Sequence, residues 1–172
     1  AGLNQFVWNL KSEPLPCNPG LVHPPRSGTY IVAPGAYTVK LSAGDYSATE
    51  SVNVLASPDL SVSANYDEYK SLTATLHAAA NEMIGNVQTL DKIKKQIDVI
   101  IDVSGSDTAK EEGEKLKGSL MVWHNKIINT NLQTFQDIIR YPNKMALNFS
   151  FLLEDMSGAD IPMNKGMSEV AD

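Results

Sequence analysis

The chain has 172 residues, of which 42% are apolar and 20% charged, with a formal net charge of −6 and a pI near 5.0. This composition is typical of a folded globular protein and excludes a disordered tail. The acidic balance argues against a nucleic-acid partner, because binding to a phosphate backbone requires clustered Lys and Arg. No apolar run approaches the roughly 20 residues of a membrane-spanning helix, so we expect no membrane span.

The composition changes near residue 64. Seven of the nine prolines precede that point, and all six methionines follow it. Proline with β-branched and aromatic residues favours strands and turns, whereas Met, Leu, Lys and Glu favour helices. We therefore predict a β domain over residues 1–64 and a helical domain over residues 65–172. The last predicted helix has no stop signal before residue 172, so we expect it to be truncated there.

The predicted β domain has too few strands for a complete sandwich. Alternating apolar residues predict one strand over residues 6–10 and two more over 37–41 and 46–54, joined in a hairpin at Gly44. Residues 28–32 are a candidate for a further short strand. An immunoglobulin-type sandwich needs about seven strands. We therefore expect a small immunoglobulin- or fibronectin-like β-sandwich whose first strands lie before residue 1.

The helical domain opens with the capping-box pattern of Asn65 and Glu68. Apolar residues then recur at spacings of three and four, which predicts one amphipathic helix over residues 66–103, roughly 55 Å long at 1.5 Å per residue. Residues 104–106 end it. The predicted buried stripe consists of Tyr69, Leu72, Leu76, Ala79, Met83, Val87, Leu90, Ile93, Ile97 and Ile100.

Three further helices are predicted. The second opens at Thr108, and its predicted buried stripe is Leu116, Leu120, Trp123 and Ile127. Residues 129–141 fit either a continued helix or a packed loop. Pro142 starts a third helix and Pro162 a fourth, since proline suits a first helical turn. Short links imply antiparallel neighbours, so the predicted fold class is α+β, a β-sandwich followed by an antiparallel three- or four-helix bundle.

No catalytic, cofactor or metal signature stands out, so we expect no cofactor and no enzymatic activity. The single Cys17 has neither a helix N-terminus nor a cation nearby to lower its pKa. The histidines, His23, His77 and His124, are too few and too scattered for a zinc site. Residues 102–113 resemble a calcium loop only faintly, because the sixth and twelfth positions lack the required Gly and Glu. A capped helix–helix turn explains that segment better.

Aromatic residues provide the weak candidate site. Tyr30 and Trp8 are the candidate sugar-stacking residues, because carbohydrate-binding sandwiches use exposed aromatic rings. Trp8 alternates in phase with aliphatic neighbours, as do Tyr37 and Tyr46 in the hairpin. That phase points these three side chains inward, so a core role is the stronger interpretation.

Two segments of the β half carry a family resemblance. Residues 2–10 read GLNQFVWNL, and residues 34–41 read PGAYTVKL. These resemble the G-x-N-x-F-x-W-D-L and P-G-x-Y-x-V-x-L strands of a C-terminal module. The module follows the β-propeller of secreted bacterial proteins with BNR or sortilin-type repeats, which are often labelled glycosyl hydrolases or sialidase-like. Residues 57–59 resemble the linker to that family's helical region, and residues 141–144 its third-helix entry.

The resemblance implies a non-catalytic accessory module of a secreted or periplasmic protein. Any catalytic residues would lie in an upstream β-propeller of the same chain, which is the expected partner. Packing, spacing or assembly would be the function, with homo-oligomerisation through the helices as a further expectation. Three alternatives stay open: a carbohydrate-binding module of a secreted glycoside hydrolase, a hydrolase fragment with two carboxylates facing one cleft, and a helical protein that binds a partner in an apolar groove.

Overall fold

The structure, a computed structural model, describes residues 2–16, 28–58 and 65–156. In chain order its elements are strand β1 (Gly35–Ala43), strand β2 (Tyr46–Val54), helix α1 (Tyr66–Ser104), helix α2 (Asp107–Ile127), a 3₁₀ helix (Phe135–Ile139) and helix α3 (Met145–Asp155). The predicted fourth helix and the predicted domain boundary at residue 64 lie outside the described residues.

Strands β1 and β2 form an antiparallel hairpin, as predicted. The register pairs Gly35 with Val54 and Ala43 with Tyr46, which leaves a two-residue loop. Gly44 occupies the first loop position with φ of 58°, a left-handed conformation that glycine adopts without a steric penalty. The turn predicted at Gly44 is therefore confirmed, and the hairpin is held by its own ladder of backbone hydrogen bonds.

The predicted β-sandwich is wrong. Within the described residues there is one sheet, and it has only the two strands of the hairpin. The predicted strand over residues 6–10 is not part of a ladder. Residues 28–32 contribute only the isolated antiparallel bridge from Lys11 to Ile31. Alternation predicted a strand in each segment, but within the described residues the two segments meet only at this single bridge, which does not make a ladder.

The boundaries of α1 match the prediction closely. Asn65 caps its first turn by accepting a hydrogen bond from the Glu68 backbone N–H at 3.2 Å, and its amide donates to the Glu68 carboxylate at 2.9 Å. Gly105, in the left-handed conformation at φ 57°, ends the helix. Ser106 then caps α2. This segment is the capped helix–helix turn that the sequence favoured over a calcium loop.

Helices α2 and α3 pack against different parts of α1, so the predicted antiparallel three- or four-helix bundle is also wrong. Helix α1 has 39 residues, whereas α2 has 21 and α3 has 11. Three contacts fix α2 antiparallel to the C-terminal half of α1: His124 with Asp91, Lys117 with Asp98, and Gly113 against Ile101. Helix α3 packs instead on the N-terminal half of α1.

The core lies where both halves of the sequence meet. Its buried members come from the segments before β1, from α1 and from α3: Leu15, Ala33, Tyr69, Leu76, Ala80, Ile84, Leu153 and Met156. Most of the stripe predicted for α1 is buried or half-buried, but Ile100 is 60% exposed. The stripe predicted for α2 is only partly buried: Leu120 and Ile127 are half-buried, whereas Leu116 is 49% exposed and Trp123 64% exposed. The segment 129–141 is a loop that contains the 3₁₀ helix.

Candidate functional site

An open cleft of about 680 Å³ lies beside the segment that precedes β1. Its lining residues are Phe6, Trp8, Asn9, Lys11, Ser12, Glu13, Pro14 and Thr29. Ser12 donates its backbone N–H to the Tyr30 carbonyl at 2.9 Å, and this bond holds one wall in place. The cleft contains one of the two aromatic residues singled out from the sequence.

The Trp8 ring is held by two contacts, a hydrogen bond from its indole N–H and an edge-to-face contact with a second aromatic ring. Its indole N–H donates to the Lys11 carbonyl at 3.0 Å. Its ring meets that of Tyr37 in a T-shaped contact with centroids 5.5 Å apart, a favoured geometry for aromatic pairs. Tyr37 in turn donates its hydroxyl to the Ala33 carbonyl at 2.6 Å. Trp8 therefore joins the base of the hairpin to the extended segment.

Tyr30 has different partners from Trp8. Its ring packs edge-on against the His77 ring of α1, with centroids 5.7 Å apart. The His77 Nε2 lies 2.9 Å from the Glu13 carbonyl oxygen, to which it donates in the tautomer that carries its proton there. Trp8 thus faces the hairpin and Tyr30 faces the helix. The two rings form separate contacts and no shared stacking surface.

Tyr69 ties these segments to α1. Its hydroxyl donates to the Ile31 carbonyl at 2.6 Å, and its side chain is buried in the core. Burial raises the pKa of Tyr69 to about 12 from its ordinary 10.0, with a smaller contribution from the neighbouring phenols of Tyr30 and Tyr37. Burial, followed by Tyr30, also raises the pKa of Tyr37. Both phenols are therefore neutral hydrogen-bond donors at neutral pH, with no role as bases.

A second polar site lies in the contact between α1 and α2. The Nε2 of His124 is 3.5 Å from the Asp91 carboxylate, and the His124 side chain is buried. Its Nδ1 has no hydrogen-bond partner among the described residues. His77 is held elsewhere, so the two histidines do not form a pair. A cleft of about 300 Å³ near the end of α2 is lined by residues from 125–131 and 141–144.

The burial of His124 in the contact between α1 and α2 was not predicted from the sequence. The available signal was a shared spacing: Asp91 and Asp98 on α1 are seven residues apart, as are Lys117 and His124 on α2. Residues seven apart lie on one helix face, and the Lys117 Nζ lies 2.6 Å from Asp98. The Asp98 and Glu114 carboxylates raise the pKa of Lys117. The spacing of these polar residues therefore marks part of the face of α2 that contacts α1.

The described residues hold no group of three or more His, Cys, Asp or Glu side chains able to bind a metal ion. Within the same part of the chain, none of the helices combines the length and the apolar character that crossing a bilayer requires. Comparison with protein-family models, curated proteins and solved structures finds no match to this chain.

Proposed function

We propose that this chain is a non-catalytic accessory module that packs against a neighbouring β-rich domain through its hairpin. The observation that carries the proposal is the apolar face of the β1–β2 hairpin. The register places Tyr37, Val39 and Leu41 on one face, with Val52, Glu50 and Ala48 opposite them, so this face is apolar except at Glu50. The other face is polar, with Thr38, Lys40 and Ser42 opposite Ser51, Thr49 and Ser47. Such alternation is typical of a sheet with one face packed on apolar neighbours.

The apolar face is largely uncovered. Leu41 is 61% exposed and Tyr46 62%, and Val39 and Val52 are also exposed. The base of this face, at Tyr37, contacts the Trp8 ring. An isolated two-stranded hairpin is marginally stable in water, and contiguous exposed apolar surface marks an interaction site. A second sheet from a neighbouring domain would complete the packing that a sandwich provides.

The proposed neighbour is a β-propeller that precedes this chain in a longer polypeptide, in a secreted or periplasmic protein. This part of the proposal comes from the resemblance of residues 2–10 and 34–41 to the module that follows such propellers. Residues 2–10 add to the open surface, since Leu3, Phe6 and Val7 are each at least 75% exposed. The module would position the propeller by burying apolar area, without bond chemistry.

The test mixes the chain with the domain encoded immediately before it and measures binding by isothermal titration calorimetry. We expect binding with a negative heat-capacity change, the signature of apolar burial. Leu41→Asp, on the apolar face, should weaken binding at least about tenfold, a loss typical of a buried interface side chain. Thr49→Asp, on the polar face, is the matched control and should leave binding unchanged. An upstream sequence without a β-propeller, or equal effects of the two variants, would contradict the proposal.

The second candidate function is a carbohydrate-binding module, and the cleft beside Trp8 is the observation that favours it. Phe6, another lining residue, is 87% exposed and offers an open ring. Titration with soluble cello- and chito-oligosaccharides, read by tryptophan emission, tests this function. Binding that Trp8→Ala and Phe6→Ala abolish, with no binding to the upstream domain, would favour the carbohydrate-binding function over the docking function.

A further inference from the structure

A stripe of five residues runs along the outside of α2. Its members, here called the α2 stripe, are Glu112, Leu116, Ser119, Trp123 and Lys126. Their spacings of four, three, four and three residues place them on one side of the helix, in the pattern of a coiled-coil seam. Leu116 is 49% exposed and Trp123 64% exposed. Trp123 is an unusually large apolar side chain to leave in water on a helix that already has a partner.

The α2 stripe does not face α1. The residues of α2 that contact α1 include Gly113, Lys117 and His124, and each of these three directly follows a member of the stripe. One residue corresponds to a rotation of about 100° around a helix. The stripe therefore lies beside the α1–α2 contact and remains accessible when the two helices are packed together.

The charges of the stripe are placed symmetrically about its centre. Glu112 and Lys126 each lie seven residues from Ser119, about 10 Å along the helix axis in opposite directions. A two-fold axis through Ser119 would bring Glu112 of one copy against Lys126 of a second copy, and the reverse. Leu116 lies three residues before Ser119 and Trp123 four residues after it, so the same operation would bring Leu116 of one copy near Trp123 of the other, offset by about 1.5 Å along the axis. The charged pair therefore matches in position, and the apolar pair matches to within one residue.

We propose that two copies of this chain form an antiparallel dimer through their α2 stripes. Closed two-fold dimers with self-complementary surfaces are the commonest oligomers. Trp123 would be the apolar anchor, as tryptophan often is at interfaces, and the small Ser119 would let the helices approach closely. The Lys126 Nζ already lies 5.1 Å from the centre of the Trp123 ring, which holds the ammonium group along the stripe. This inference does not depend on the docking of the hairpin.

Sedimentation velocity on the full chain, from about 1 μM to about 1 mM, tests the dimer over the range expected for a small interface. We expect a reversible monomer–dimer equilibrium. Trp123→Ala should weaken it at least about thirtyfold, because the anchor is lost twice in each dimer. Circular dichroism should show unchanged helix content, since Trp123 is largely exposed in the monomer.

Charge reversal tests the register. Glu112→Lys places Lys against Lys126 twice in each dimer and should weaken association about tenfold, since like charges across an interface are repulsive. The double variant Glu112→Lys/Lys126→Glu restores opposite charges and should recover most of that loss. Glu111→Lys makes the same charge change one position away from the stripe and is the matched control. A monomer at every concentration, an equal effect of Glu111→Lys, or no recovery in the double variant would overturn the proposal.

Discussion

The first half of α1 and the β hairpin are both amphipathic, but they differ in what covers their apolar faces. Leu76, Ala80 and Ile84 are at most 2% exposed, because α3 and the segments before β1 pack over them. Leu41 and Tyr46, on the apolar face of the hairpin, remain more than 60% exposed. Amphipathicity therefore determines which face of a helix or hairpin can be buried. Whether that face is buried depends on a third element.

The largest expected effect is at the buried apolar face of α1. Ile84→Ala should lower the free energy of unfolding by about 3 kcal/mol, since it removes buried methyl groups and leaves a cavity in the core. Urea unfolding followed by circular dichroism measures the change. A loss below about 1 kcal/mol, typical of surface positions, would mean that α1 is not packed as described.

Tyr69→Phe tests the contact between α1 and the segment that precedes β1. Loss of the hydroxyl leaves the Ile31 carbonyl without its donor, which should cost about 1–2 kcal/mol of unfolding free energy at pH 7. Urea titration at that pH gives the value.

The same variant has a pH signature. The folded-state pKa of Tyr69 is raised from 10.0 to about 12, so its contribution is fully present below pH 10 and is lost as the pH rises toward 12. Tyr69→Phe should flatten the loss of stability over that range. Tyr46→Phe, at an exposed position of the hairpin, is the control, and an equal flattening there would contradict the assignment.

Asn65→Ala tests the start of α1 and should cost about 1 kcal/mol, because the first turn loses its side-chain cap. Asn65→Ser keeps an acceptor for the Glu68 backbone N–H and should retain most of the stability. Thermal unfolding of the two variants in parallel provides the measurement. Equal losses would show that the cap does not stabilise the helix.

The smallest effect is expected in the hairpin. Leu41→Ala should change the free energy of unfolding by less than about 0.5 kcal/mol, as is usual for exposed positions. The urea assay used for Ile84→Ala applies here too. A loss comparable to that of Ile84→Ala would show that the apolar face of the hairpin is covered in the isolated chain.

Helix α1 could be predicted almost to the residue, because a capping box opens it, Gly105 closes it, and the apolar period between them is long. The β half could be predicted only at its hairpin, since alternation at Phe6 and Trp8 suggests a strand without specifying a partner for it. Helix α2 shows a third case. Apolar spacing selected Trp123 for burial, but the buried neighbour is His124, and Lys117 and His124 each contact an Asp side chain of α1.

The candidate site was predictable only in its parts. The sequence singles out Trp8 and Tyr30, but their separate partners, Tyr37 and His77, lie 29 and 47 positions further along the chain. Contacts at such separations depend on the packing of the extended segments on α1, which no local pattern encodes. The α2 stripe, in contrast, is visible in the sequence once the face that contacts α1 is known.

Amide hydrogen exchange on the isolated chain is the most direct test of whether the hairpin is uncovered, because it reports how strongly each element is protected by packing. We predict that the amides of β1 and β2 exchange at least about 100-fold faster than those of α1 between residues 76 and 84. We also predict that the upstream domain slows exchange in the hairpin selectively. Equal protection of the hairpin and of α1 in the isolated chain would contradict the claim that the apolar face of the hairpin is uncovered and available to bind a partner.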